Sequence, residues 1–258
     1  TEDFNAKYAI DEKRFWSFLE QSQEEEVEKL KRAPDWKLKV MERFHKMAKK
    51  YGVLRLLKKG LDVEDAHFTL LYQPPLASSG ETVKERFKQN QFSVTRQVRY
   101  NLDNTREEID MVIFLNGIPV ATIELKNPWT GQNAKVHAIK QYKDDRDTKQ
   151  PLLNFGRCLV HFAVDTDEVY MTTKLSGGST FFLPFNKGHN HGKGNPPNSY
   201  GHKSAYLWQE VFTKESLANI IQHFVRFDVK AKDALSKRTL FFPRYHQMDV
   251  VRKIFGHA

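Results

Sequence analysis

The chain has 258 residues, 40% of them hydrophobic and 28% charged, with a net charge of +9 and a pI near 9.4. That composition suits one medium-sized folded unit with a full core and excludes a disordered or fibrous chain. No apolar run approaches the ~20 residues needed to span a bilayer, and the single cysteine, Cys158, leaves no intramolecular disulfide and fits a reducing compartment.

Residues 11–33 read as a polar helix laid on the surface, with Phe15, Phe18, Leu19, Val27 and Leu30 as its sparse apolar points. From Asp35, the residues Val40, Phe44, Met47, Tyr51 and Leu54 recur at helical steps, and Gly52 interrupts that helix at modest cost. Breakers at Pro74-Pro75 and Ser78-Ser79-Gly80 precede a short helix over 81–90. Phe92, Val94, Val98 and Tyr100 then alternate with polar residues, as in a half-buried strand.

Two short β-branched runs follow, 109–115 and 120–126, joined by the hairpin signal Asn116-Gly117. A helix is expected over 133–142 and further strands over 159–164, 169–172 and 180–183. A long Gly/Asn/His/Pro loop spans 186–201, and a strong helix starts near Glu215. Together these elements predict an α/β fold, a central mixed β-sheet with helices on both faces and a helical N-terminal portion.

Basic residues cluster over 84–99, 135–146 and 187–203, and the first two clusters flank the two central runs. That placement favours a nucleic acid partner. Inside those runs stand Asp110, Glu124 and Lys126, charged groups that are expensive to desolvate unless paired or bound to metal. Lys126 lies two residues beyond Glu124, so strand periodicity puts both on one face. Two carboxylates suit a magnesium ion shared with a phosphate, and the lysine suits an attacking water or a pentacovalent transition state.

A two-residue loop at Asn116-Gly117 would pair Asp110 with Ile123 and send the two acids to opposite faces. A three-residue loop or a bulge pairs Asp110 with Glu124 instead, and Pro119, lacking an N–H, is a natural place for irregular pairing. The hairpin is therefore expected not to be a simple two-residue type I′ turn. Similar acid-x-lysine triplets at Asp35-Trp36-Lys37 and Asp228-Val229-Lys230 read as solvated charge. On the residues alone, nuclease chemistry and a buried structural ion pair stand level.

The string from Asp110 to Pro119, continuing through Ile123-Glu124-Leu125-Lys126-Asn127-Pro128, resembles the N-terminal nuclease domain of the restriction (motor) subunit of type I restriction–modification enzymes, within the PD-(D/E)xK group. The likeness extends over 92–142 and again from Tyr206-Leu207-Trp208 into the last helix. It implies a restriction-endonuclease-like fold, with Asp110 and Glu124 as metal ligands beside the Leu125 carbonyl and Lys126 as the catalytic lysine. The ion would be Mg2+, with Mn2+ a substitute.

The family's Gln-x-x-x-Tyr element is met at Tyr142, but Ala138 stands at the Gln position and Gln141 is a partial substitute. Tyr142, Gln141 and Lys140 are the residues expected to position DNA. A third acid is sought at Glu81 or Glu85, although solvated helix charge is the leading reading of both. Phe242-Pro243-Arg244-Tyr245-His246-Gln247 resembles the adenine-reading segment that precedes a helicase ATP loop, with Gln247 as its adenine contact. Gly188 to Gly194 does not match such a loop, so ATP would act only through motor domains beyond this sequence. His189, His191 and His202 lack zinc-site spacing.

The resemblance thus divides the chain into a helical portion over 1–72, a nuclease core over 73–226, and a linker leading to the motor over 227–258. It implies non-specific, metal-dependent cleavage of double-stranded DNA in the bacterial or archaeal cytoplasm. Methyltransferase and specificity subunits and the motor domains would be the partners, with no membrane. The alternative is a basic DNA-binding or subunit-docking module with an inactive nuclease site.

Overall fold

The computed structural model describes residues 2–228 and 233–256. Six strands make the central sheet: β1 Phe92–Arg99, β2 Glu108–Leu115, β3 Ile118–Leu125, β4 Val160–Val164, β5 Val169–Thr172 and β6 Leu183–Pro184. They lie in the order β6-β5-β4-β3-β2-β1, with every neighbouring pair antiparallel except β3 and β4. A parallel pair needs a crossover connection, supplied here by a helical segment over 134–145 and a loop. The mixed α/β architecture expected from the sequence is present.

Because β3 sits inside the sheet, all its residues but the last are buried, which accounts for its near-continuous apolar run. On one face Ile113, Leu115, Ile118, Ile123 and Phe162 share a core with helices α1 Glu12–Ser22 and α2 Trp36–Tyr51 and with the helical segment over 214–224. That core takes in residues from Tyr8 to Met248. On the other face Val112, Phe114, Leu152 and Cys158 pack around Tyr142.

The N-terminal helix is seated more deeply than a surface-laid one, since Phe15, Phe18 and Leu19 are buried at helical spacing. Asp11 caps it by accepting from the Arg14 N–H at 3.1 Å. It stops at Ser22 because the Gln23 amide pairs in both directions with the backbone of Thr69, at 2.7 and 2.9 Å. Gly52 ends α2 rather than merely weakening it. Its φ is +83°, and a Cβ there would meet the Phe227 ring at 2.9 Å.

Three other expectations change. The helix over 134–145 has π-turns at Ala134–Ala138 and Gln141–Asp145. Val94 is exposed, whereas Val98 on the same edge strand is buried. Thr180 belongs to a turn rather than a strand, its hydroxyl donating to the Gly177 carbonyl at 2.7 Å, so only Leu183–Pro184 pairs with β5. The long loop is anchored by Asn195, whose amide donates to the Asp167 carbonyl and accepts from the Lys187 N–H, both at 2.8 Å. Of the two decoy triplets, Lys37 pairs with Glu20 at 2.9 Å on the surface; Val229 and Lys230 lie outside the described residues. Among the described residues no helix is long and apolar enough to cross a membrane.

Candidate active site

The hairpin between β2 and β3 decides where the charged residues point. Its turn is the regular two-residue one: Leu115 pairs with Ile118, and Asn116 and Gly117 have φ of +52° and +76°. Both central residues are left-handed, as a type I′ turn requires. The irregularity lies beyond it. Phe114 pairs with Pro119 but Ile113 pairs with Ala121, so Val120 is an extra residue in β3. The sequence expectation of an irregular turn is thereby corrected, and of its two alternatives the bulge, beside Pro119, is the one adopted. Past the bulge Val112 faces Thr122 and Met111 faces Ile123. The next step along that register brings Asp110 opposite Glu124.

The turn is held firmly. Asn116 is fully buried, donates to the Leu70 carbonyl at 2.9 Å and accepts from the Gln91 N–H at 2.7 Å. A Cβ on Gly117 would lie 2.5 Å from the Asp11 carbonyl oxygen and the Phe15 nitrogen, so only glycine lets the turn dock under the start of α1.

Asp110 is half-buried, and its Oδ2 accepts the Leu125 N–H at 2.7 Å. Glu124 is completely buried, and its Oε1 takes two guanidinium nitrogens of Arg146, each at 2.8 Å. Its Oε2, also buried, has no donor. Burial pushes the Glu124 carboxyl up to about 8; Arg146 opposes that rise and the neighbouring Asp110 adds to it. Lys126 continues the parallel ladder with its N–H on the Val164 carbonyl at 2.9 Å. Its ammonium donates to Gln141 Oε1 at 2.5 Å.

These two carboxylates, with one oxygen lacking a donor, form an all-oxygen set suited to a hard divalent cation that keeps waters and a phosphate in its shell. Among the described residues no group of three or more His, Cys, Asp or Glu is placed to hold a metal. The search for a third acid is corrected accordingly: Glu81 pairs with Lys84 at 3.6 Å and Glu85 with Lys88 at 2.6 Å, both on an exposed helix.

Tyr142 is wholly buried, so it does not touch DNA as the sequence suggested. Its hydroxyl shares a 2.8 Å hydrogen bond with Thr122 Oγ1, which also meets His161 Nδ1 at 2.7 Å. Burial drives the His161 imidazole down to about 3, so the ring is a neutral, hydrogen-bonded part of the core. Lys140 is exposed and paired with Asp144 at 2.6 Å. Gln247 Oε1 accepts the Arg244 N–H at 2.9 Å, capping its own helix. Cys158 is inert core, its thiol pushed up to about 12 by burial.

Sequence reasoning missed Arg146 and Thr122. It also missed a distortion of the edge strand, where Gln97 has φ +52° between the pairs Arg96–Met111 and Val98–Ile109, opposite Asp110. The one available signal for Arg146 was its place in the second basic cluster.

Comparison with known proteins adds the family. A relative in Methanocaldococcus jannaschii, named "Putative type I restriction enzyme MjaIXP endonuclease subunit", is 28% identical over 170 residues. That match covers 57% of this chain and 15% of the relative, so the chain spans a small part of that protein's length. A family profile described as the type I restriction enzyme R protein N terminus matches residues 5–180, which include the whole strand–bulge–strand–helix array that carries Asp110, Glu124, Lys126 and Arg146. The chain belongs to that family.

Proposed function

We propose that this chain is the metal-dependent DNA endonuclease portion of a type I restriction enzyme subunit and hydrolyses phosphodiester bonds without sequence preference. The observation that carries the reading is the donorless, buried Oε2 of Glu124 beside Asp110, with the Lys126 ammonium on the same face of the strand. Asp110 and Glu124, with the Leu125 carbonyl, would hold Mg2+ or Mn2+. When bound, that ion supplies charge neutralisation and an activated water.

The protein's own groups do the rest. The Leu125 N–H fixes the Asp110 carboxylate, and Arg146 fixes Glu124 through Oε1, leaving Oε2 for the ion. Gln141 steers the Lys126 ammonium, which can orient the attacking water or hold the charged transition state. The excess of 41 Lys and Arg over 32 Asp and Glu favours the DNA backbone, whose contacts carry no sequence information. In the whole enzyme, partner subunits would choose and methylate the sequence, and motor domains would use ATP. The setting proposed is the bacterial or archaeal cytoplasm.

Calorimetric titration with Mg2+ or Mn2+ tests the site. Binding is expected in the wild type and lost in Asp110→Ala and Glu124→Ala. Lys126→Ala should keep the metal and the fold while abolishing plasmid cleavage by the reconstituted complex. Metal binding that survives both acid replacements, or unchanged cleavage by Lys126→Ala, rejects the reading in favour of a docking module.

A further inference from the structure

Directly beyond the lysine lies a feature that phosphodiester hydrolysis does not need. Lys126, Asn127, Trp129, Asp165, Thr166 and Trp208 line a cleft of about 510 Å3, within the usual range for a small-ligand site. Trp129 is 94% exposed, an unusual state for the largest side chain.

Its backbone is nonetheless fixed. The Asn127 side chain accepts the Trp129 N–H at 3.0 Å, the Thr130 hydroxyl donates to the Asn127 carbonyl at 2.7 Å, and left-handed Gly131 closes the turn. Trp208 is 37% exposed and rests against Phe212, ring centroids 5.8 Å apart. Two indoles therefore border a cleft whose wall includes the lysine of the candidate active site.

We propose that this cleft receives one unpaired nucleobase of the strand being cut, stacked on Trp129 and Trp208. The inference rests on the nuclease reading above, because Lys126 belongs to both sites and an occupant of the cleft is adjacent to the phosphate that the lysine serves. A base inside a duplex cannot enter; the strand must be tailed, frayed or flipped out. Aromatic stacking holds any base, since every base has a π-face.

Two of the polar lining residues agree with sequence-neutral capture. Both Asp165 oxygens are already committed to backbone N–H groups of Ala134, Asp167 and Glu168, at 2.7 to 2.8 Å, and the Thr166 hydroxyl donates to Asp167. These groups stabilise the walls rather than read a base edge.

The test uses the whole chain with EDTA present, so that cleavage plays no part. A duplex bearing a single-stranded tail with 2-aminopurine is compared with a blunt duplex of equal length. The tailed probe should bind about tenfold tighter, with its fluorescence quenched. Trp129→Ala and Trp208→Ala should each lose most of the quenching and most of that preference, while Trp129→Phe keeps both. Equal affinity for tailed and blunt probes, or alanine variants that bind and quench as the wild type does, overturns the proposal and leaves the indoles to a protein surface. Quenching that persists when the Asp110 and Lys126 tests fail would sink the nuclease reading alone. The reverse pattern would sink the stacking site alone.

Discussion

Arg146 reaches Glu124 from 22 residues downstream and places two nitrogens 2.8 Å from a single oxygen, Oε1. The guanidinium is itself 7% exposed and lies 5.9 Å from the Tyr100 ring. Such a pair is not a simple source of stability, because both charges have lost their water. Removing one partner is another matter. Arg146→Met leaves the Glu124 carboxyl buried without its donor; the group then takes up a proton, and the fold should lose about 1–3 kcal/mol in urea unfolding at pH 8. Arg146→Lys should recover only part, since an ammonium cannot present two fixed donors to one oxygen. Equal stability of the Met variant and the wild type would show that Glu124 has another partner.

The raised carboxyl of Glu124 has a defined pH signature. Its folded pKa is about 8 against 4.5 for the free group, so between those values the native state binds more protons than the unfolded chain. Stability contributed at this position is therefore greatest below 4.5 and declines as pH rises through 8. Glu124→Gln removes the titration. Measured without divalent metal, the unfolding free energy of the wild type should fall relative to the Gln variant from pH 5 to pH 8. Parallel profiles would mean that Glu124 titrates alike in both states.

Gln141 is the nearest partner of the Lys126 ammonium. Gln141→Ala should leave Mg2+ affinity unchanged while lowering the cleavage rate about 100-fold, the scale of a mispositioned catalytic group. Calorimetry and single-turnover cleavage on the same preparation separate the two effects. A change in metal affinity alone would remove Gln141 from the lysine's support.

Thr122 links two buried polar groups, the Tyr142 hydroxyl and the His161 ring. Thr122→Val keeps the shape and strands both, at a cost of about 1–3 kcal/mol for each unsatisfied group. A drop of at least ~2 kcal/mol in urea unfolding is expected. A neutral effect would require the tyrosine and histidine to find each other.

Asp110, Glu124 and Lys126 were legible because strand alternation is short-range and their charge stands out among valines and isoleucines. Counting residues across the hairpin even required an irregularity, and Pro119 marked its neighbourhood. Arg146 and Gln141 were hidden for a geometric reason. They are five residues apart, which in an α-helix at about 100° per residue diverge by roughly 140°. The wider π-turn spanning Gln141–Asp145 and the extended Arg146 that ends it break the α-helical spacing, and both side chains reach the end of the same strand. Tyr142 was misread for a related reason: its spacing from Lys126 carries no sign of whether it points to solvent or core. The fold's layers followed from periodicity, while the breaks at Gln23 and Gly52 depend on Thr69 and Phe227, partners distant in the chain.

The single extra residue at Val120 makes this hairpin sensitive to parity. Any insertion or deletion of one residue between Pro119 and Glu124 would turn the acid to the opposite layer, whereas a change of two would restore its side. Length variation here should therefore survive selection only in even steps. A homologue shortened by one at this point should lack activity even with its aspartate, glutamate and lysine all in place.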